Sequence, residues 1–127
     1  MSCFVRIATK LTNSETIKEA AEAIGYRVLE DATEVRGYSS RKVEANIVLG
    51  TKKSNYDIGA VKEKDGTHTF VADWSMAGIA QKTFVQQLSQ KYSYLQVLQT
   101  VTSKGFVLAD EKVDDRGAVQ LLLRKFS

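Results

Sequence analysis

The sequence predicts an α+β fold: a largely antiparallel sheet of about six to seven strands with two helices packed on one face. Three observations carry this. Phe84, Leu88, Tyr92, Leu95, Leu98 and Val101 recur at intervals of four and three within Thr83–Phe106, which aligns them on one stripe of a long helix. Several short runs alternate apolar and polar side chains between Gly, Asn and Asp turns, the pattern of strands with one covered face. Lys64-Asp65-Gly66 joins two such runs by a tight turn, which makes them antiparallel neighbours.

In chain order, Cys3–Thr9 reads as a strand with Cys3, Val5 and Ile7 on one face. Thr12 to Glu15 has the spacing of a capping box, and its helix turns Ile17, Ala20, Ala21 and Ile24 inward until Gly25 stops it. Tyr26–Leu29 begins an extended segment. From Glu30 to Lys42 the chain is polar and aperiodic, and Arg36-Gly37-Tyr38-Ser39-Ser40-Arg41-Lys42 reads as an exposed loop. Val43, Ala45, Ile47 and Leu49 then alternate with Glu44, Asn46 and Val48 as one half-buried strand. Tyr56–Val61 and Thr67–Asp73 are the strands of the hairpin, and Trp74–Gly78 leads into the long helix. That helix opens on a second capping box, Thr83 to Gln86, and stops at Gly105. Phe106–Ala109 and Ala118–Phe126 are the last strands, joined through Asp114-Asp115-Arg116-Gly117, with Val119, Leu121 and Leu123 on one face.

Gly25-Tyr26 and Gly105-Phe106 stand 80 residues apart, as do Arg36-Gly37 and Arg116-Gly117. A βαββ duplication is one reading of this echo. The other is chance, since glycine is expected after helices and in turns anyway.

With 127 residues, 43% of them hydrophobic, the chain fits a single domain, 1–127. No apolar run approaches a membrane span, and the N-terminus lacks the pattern of a secretory signal. The one cysteine, Cys3, cannot form an internal disulfide, which suits a reducing compartment. It reads as a small strand residue rather than a reactive thiol, because the only histidine, His68, is distant in sequence. The absence of proline leaves the turns to Gly, Asn, Asp and Ser.

One His and one Cys make no structural zinc set, and no cofactor is expected. Asp57, Asp73 and Glu44 offer carboxylates for acid–base work or magnesium if their strands converge; a solvated strand face explains them as well. Gly59 and Gly66 lack the spacing of a phosphate loop, and Ser39, Ser40 and Ser75 have no histidine partner in pattern. No catalytic set results. Arg36, Arg41, Lys42, Lys52 and Lys53 cluster in sequence with Tyr38 and Tyr56 between them, a combination able to hold phosphates and stack bases. A net charge of +3 fits solvated loops equally. Tyr94 sits about 200° from Tyr92 on the helical wheel, so it leaves the main stripe. With Val85 and Val97 it forms a second apolar strip, which either a partner or the Trp74–Gly78 junction would cover.

Met1-Ser2-Cys3-Phe4, Val35-Arg36-Gly37-Tyr38, Tyr56-Asp57-Ile58-Gly59, Val71-Ala72-Asp73, Gln90-Lys91-Tyr92-Ser93-Tyr94 and Gly105-Phe106 occur in an order and spacing that resemble the Ycf35 family, a domain of unknown function also called DUF1257. The resemblance spans nearly the whole chain. Two departures stand out: a histidine is expected where Cys3 stands, and a longer segment with a further aromatic where Trp74-Ser75-Met76 follows Asp73. The resemblance implies a small soluble protein encoded in cyanobacteria, algal plastid genomes and some phages. It therefore implies the bacterial or phage-infected cytoplasm, or the plastid stroma, and brings no catalytic residues with it.

The first functional expectation is a non-enzymatic binding or assembly module, meeting a protein partner or a second copy through Trp74, Met76, Val85, Tyr94 and Val97. The second is a nucleic-acid-binding accessory protein using Arg36, Tyr38, Arg41, Lys42, Lys52, Lys53 and Tyr56.

Overall fold

In the computed structural model, which describes residues 3–52 and 55–125, the strands number nine. β1 (Val5–Ala8), β2 (Arg27–Val28), β5 (Ile47–Gly50), β6 (Asp57–Lys62) and β7 (His68–Ala72) form an antiparallel sheet in the order β1-β7-β6-β5-β2. β3 (Glu34–Arg36) and β4 (Lys42–Glu44) form a separate hairpin, and β8 (Phe106–Val113) and β9 (Val119–Lys125) another. The helices are α1 (Ser14–Ala23), the single-turn α2 (Trp74–Ala77) and α3 (Gln81–Ser103). No helix among the described residues is long and apolar enough to cross a membrane. The fold is α+β as predicted, but the sheet has five strands rather than six to seven, because among the described residues β8 and β9 pair only with each other. Contacts divide the chain into two compact units, Met1–Tyr92 and Ser93–Ser127.

In the first unit, strand register sets two sheet faces. Ile58 lies between Leu49 and Ala72, and Ala60 between Ile47 and Phe70, so these side chains share one face with His68. Ile17, Ala20 and Ala21 of α1 and Phe84 and Leu88 of α3 are buried over it. Phe84 is the hub, edge-on to Tyr26 at 5.2 Å and to Phe70 at 5.4 Å, and tilted against Trp74 at 5.6 Å. Each such ring pair adds roughly 0.5–1.5 kcal/mol beyond burial.

The opposite face carries Val48, Gly59 and Val71 side by side. It is covered by the β3–β4 hairpin, whose Val35 joins Val48 and Val71 in a buried cluster with Phe4, Leu29, Val43 and Ala45 around it. The predicted exposed loop over 36–42 is therefore, in its flanks, a strand pair. The predicted single strand over 43–49 is two strands, broken at Ala45-Asn46, because Val43 pairs with Val35 while Leu49 pairs with Ile58. β5 is buried at every position instead of half-buried, since it has cover on both faces. Gly59 is what lets the hairpin come this close: a Cβ there would collide with Val35 Cγ2 and lie 2.8 Å from Ala45 Cβ.

Helix starts shift slightly from their expected positions. Asn13, not Thr12, caps α1, its Oδ1 accepting from Thr16 N at 3.1 Å. α3 begins two residues before Thr83, and Phe84 N already donates to Ala80 O at 3.0 Å. Cys3 is exposed and precedes β1 rather than lying in it.

The second unit consists of the end of α3 and the β8–β9 hairpin. Leu95, Leu98 and Val101 of the stripe are half-buried there. Pairing runs from Phe106↔Lys125 to Val113↔Val119, with a register shift between Leu108 and Asp110. The 80-residue echo holds at the helix stops, where Gly25 and Gly105 both take positive φ. It fails at the Arg-Gly pairs. Gly117 turns with φ +80°, whereas Gly37 is extended and is needed because a Cβ would strike the Phe4 ring.

Candidate functional site

Extending the Ile58↔Ala72 register by one step sets Asp57 beside Asp73 at the end of β6 and β7, on the face that the hairpin covers. Both carboxylates are 1% exposed. Arg36 meets Asp57 with three donors: its backbone N at 3.0 Å and Nε at 2.9 Å to Oδ2, and Nη2 at 2.8 Å to Oδ1. Hydrogen bonding to Asp57 raises the Arg36 pKa above its ordinary value, so the guanidinium stays charged. Two residues on, Tyr38 N donates to Asp73 Oδ2 at 3.1 Å. One strand end therefore engages both acids. Asp73 Oδ1 is buried and has no partner among the described residues. Glu44 does not join them; it is exposed on β4, opposite Glu34. Among the described residues, no three His, Cys, Asp or Glu side chains are placed to hold a metal.

The β3–β4 loop is closed by Gly37 N donating to Arg41 O at 2.8 Å. At its tip Ser39 and Ser40 take left-handed φ of 59° and 63°, which L-residues seldom adopt. Tyr38, Arg41 and Lys42 are exposed there, beside an Arg36 side chain that is 49% exposed. Leu29, Glu34, Arg36 and Lys42 line an open groove of about 450 Å³. Lys52 is elsewhere: its Nζ lies 3.6 Å from the point a Gly25 Cβ would occupy, at the C-terminal end of α1, where a cation suits the helix dipole. Tyr56 is half-buried, its carbonyl accepting from Thr51 Oγ1 at 2.8 Å. Lys53 lies outside the described residues.

The residues expected on a partner surface separate. Trp74 is only 7% exposed, its Nε1 donates to Val5 O at 3.0 Å and its ring packs on Phe84, so it is core that ties β1 down. Met76 and Val85 are half-buried in the first unit. In the second unit, Tyr94 is half-buried and its hydroxyl donates to Glu111 Oε2 at 2.8 Å, so β8 engages it. That bond raises the Tyr94 pKa by holding the protonated phenol. Val97 is exposed, and it has company. Of the exposed large apolar residues among those described, Val5 and Tyr38 lie in the first unit, while Val97, Leu108, Val113, Val119 and Leu122 all lie in the second.

One pair escaped the sequence reading altogether. Ser14 Oγ lies 3.0 Å from His68 Nε2, and His68 Nδ1 lies 2.9 Å from Leu11 O. A carbonyl can only accept, so Nδ1 carries a proton, and in the neutral ring Nε2 accepts from Ser14. Thr9 Oγ1 donates to His68 O at 2.6 Å and His68 N to Leu11 O at 2.9 Å. His68 thus staples the β1–α1 connection to β7. The partners are more than fifty positions apart, and no local pattern announces them.

A family model described as a protein of unknown function, DUF1257, matches residues 20–122. The chain belongs to the DUF1257 family. It is similar to the uncharacterized protein ycf35 of Cyanophora paradoxa, 28% identical over 129 residues, with 99% of this chain and 98% of that protein covered. It is similar too to the uncharacterized protein ycf35 of Guillardia theta, 29% identical over 133 residues, with 99% and 98% covered. No solved structure matches the chain. In this DUF1257 protein, four of the segments that carry the resemblance meet at one end of the sheet. Phe4 lies over Gly37, Val35 packs on Gly59 and Val71, Arg36 holds Asp57, and Tyr38 holds Asp73. Tyr92, from a fifth segment, accepts instead from Thr12 N at 3.3 Å and Asn13 N at 3.0 Å.

Proposed function

We propose that this DUF1257 protein is a non-enzymatic binding or assembly module acting through protein contacts, with its contact surface on the second unit. The observation that supports this is the concentration of exposed apolar side chains there, led by Val113 at 64% and Leu122 at 62% exposure. Exposed apolar groups gathered on one small element favour burial against another protein, at about 1.5–3 kcal/mol for each such side chain fully covered. Val97 from the original expectation belongs to this set; Trp74 does not. The non-enzymatic part is supported by Asp57, whose oxygens are engaged by Arg36. The single exposed Cys3 supports a reducing compartment, either the bacterial cytoplasm or the plastid stroma. A photo-crosslinking residue placed at position 122 should give adducts with another polypeptide chain, and the same group at position 40 should not. Absence of adducts from position 122 removes the reading.

A nucleic-acid-binding accessory role is the second reading, favoured by the exposed Tyr38 ring beside Arg41 and Lys42 on a loop whose base is fastened to Asp57 and Asp73. A ring flanked by cations suits a single strand. Fluorescence anisotropy with labelled single-stranded RNA and DNA should then detect binding that weakens with salt and with Arg41→Ala. No binding at low salt ends this reading.

A further inference from the structure

We infer that the partner of the second unit at its β9 edge is a second copy of the same chain, the two β9 strands joining antiparallel, edge to edge, about Leu122. This rests on the protein-contact reading above and names the partner. Among the described residues, β9 pairs with β8 along one edge only, so its other edge presents backbone groups from Val119 to Lys125 that no described strand pairs. A two-stranded sheet is marginal, and pairing of two copies turns it into four strands, β8-β9-β9-β8.

The choice of edge follows from the two strands' side chains. The outer edge of β8 is interrupted by the register shift next to Asp110 and carries Asp110 and Glu111 in mid-strand, both of which blunt an edge. β9 is regular, and its middle, Gln120-Leu121-Leu122-Leu123, has no charge. A two-fold axis through Leu122 sets Leu122 against its mate, Leu121 against Leu123, Gln120 against Arg124 and Val119 against Lys125. No like charges face each other, and the most exposed apolar side chain of β9 lies on the axis. A two-fold contact also closes after one partner, whereas β8-to-β9 pairing between copies would continue into a filament.

Sedimentation velocity of the full chain over a micromolar concentration series should find a dimer, and Leu122→Arg should convert it to a monomer. Because that variant could lose the hairpin itself, a second measurement reads the register. In a Cys3→Ser background, Leu122→Cys should oxidise to a disulfide-linked dimer, and Gln120→Cys should link only when mixed with Arg124→Cys. A wild-type monomer at every concentration overturns the inference, as does a Leu122→Arg dimer or self-linking by Gln120→Cys in place of Leu122→Cys. A monomer that still crosslinks to other proteins from position 122 overturns the self-pairing alone. A monomer without such adducts overturns the protein-contact reading as well.

Discussion

Gly59→Ala tests how the hairpin that carries Arg36 and Tyr38 is held on the sheet. A methyl at position 59 would take the place of Val35 Cγ2, 2.8 Å from Ala45 Cβ and 3.3 Å from Val71 Cγ1. Backbone strain does not enter, because Gly59 is not among the glycines of positive φ. The cost is therefore steric, about 1–3 kcal/mol for overpacking a filled core. Val35→Ala alone removes two buried carbons, about 1.6 kcal/mol at ~0.8 kcal/mol each, with a cavity cost added. In the double variant the new methyl occupies the space that Val35 Cγ2 vacates, so the combined loss should fall short of the sum by about 1 kcal/mol. Urea unfolding followed by the fluorescence of Trp74, which lies in the same unit, measures all three. A Gly59→Ala protein as stable as wild type, or strictly additive losses, would refute the close packing of β3 on β6.

Asp57→Asn leaves the Arg36 donors facing an amide that donates in turn; because Arg36 is half exposed, the loss should be about 1–3 kcal/mol rather than that of a fully buried pair, read from the urea midpoint and from faster hydrogen exchange at Arg36 N. Ser14→Ala leaves His68 Nε2 as a buried acceptor without its donor and should cost about 1–3 kcal/mol of stability, read as a lowered urea midpoint, an unchanged midpoint counting against the staple. Glu111→Gln should bring the Tyr94 phenol back towards its ordinary value of 10.0, seen as the phenolate absorbance difference from Tyr94→Phe. Because the folded pKa is raised, the Tyr94 contact stabilises fully below the unfolded value and is lost as pH climbs through the folded one. Trp74 should emit as a buried indole and resist iodide quenching, and ready quenching would contradict its place against Phe84.

The Arg36–Asp57–Asp73 arrangement was half legible. Asp57 and Asp73 stood out, with Glu44, as carboxylates on separate predicted strands, but only the antiparallel register of β6 and β7 makes the two aspartates neighbours. Arg36 read as a loop cation, for phosphates or for solvent, because Val35 is the one apolar residue of β3, too little to produce a periodic signal. Trp74 read as a surface residue because it sits between two elements, where periodicity assigns no face; the Phe84 ring and the Val5 carbonyl settle its burial.

What the sequence determined by itself was local: the α3 stripe of Phe84, Leu88 and Tyr92, the inward face of α1, the β6–β7 turn and the glycine stops. These follow from helix and strand periods and from capping, which act over a few residues. Which strands share a sheet, that β5 is covered on both faces, and that β8 and β9 stand as a separate pair among the described strands were decided by tertiary structure. Those outcomes depend on register and on close approaches such as Val35 to Gly59, between residues whose separation along the chain leaves no mark in any local pattern.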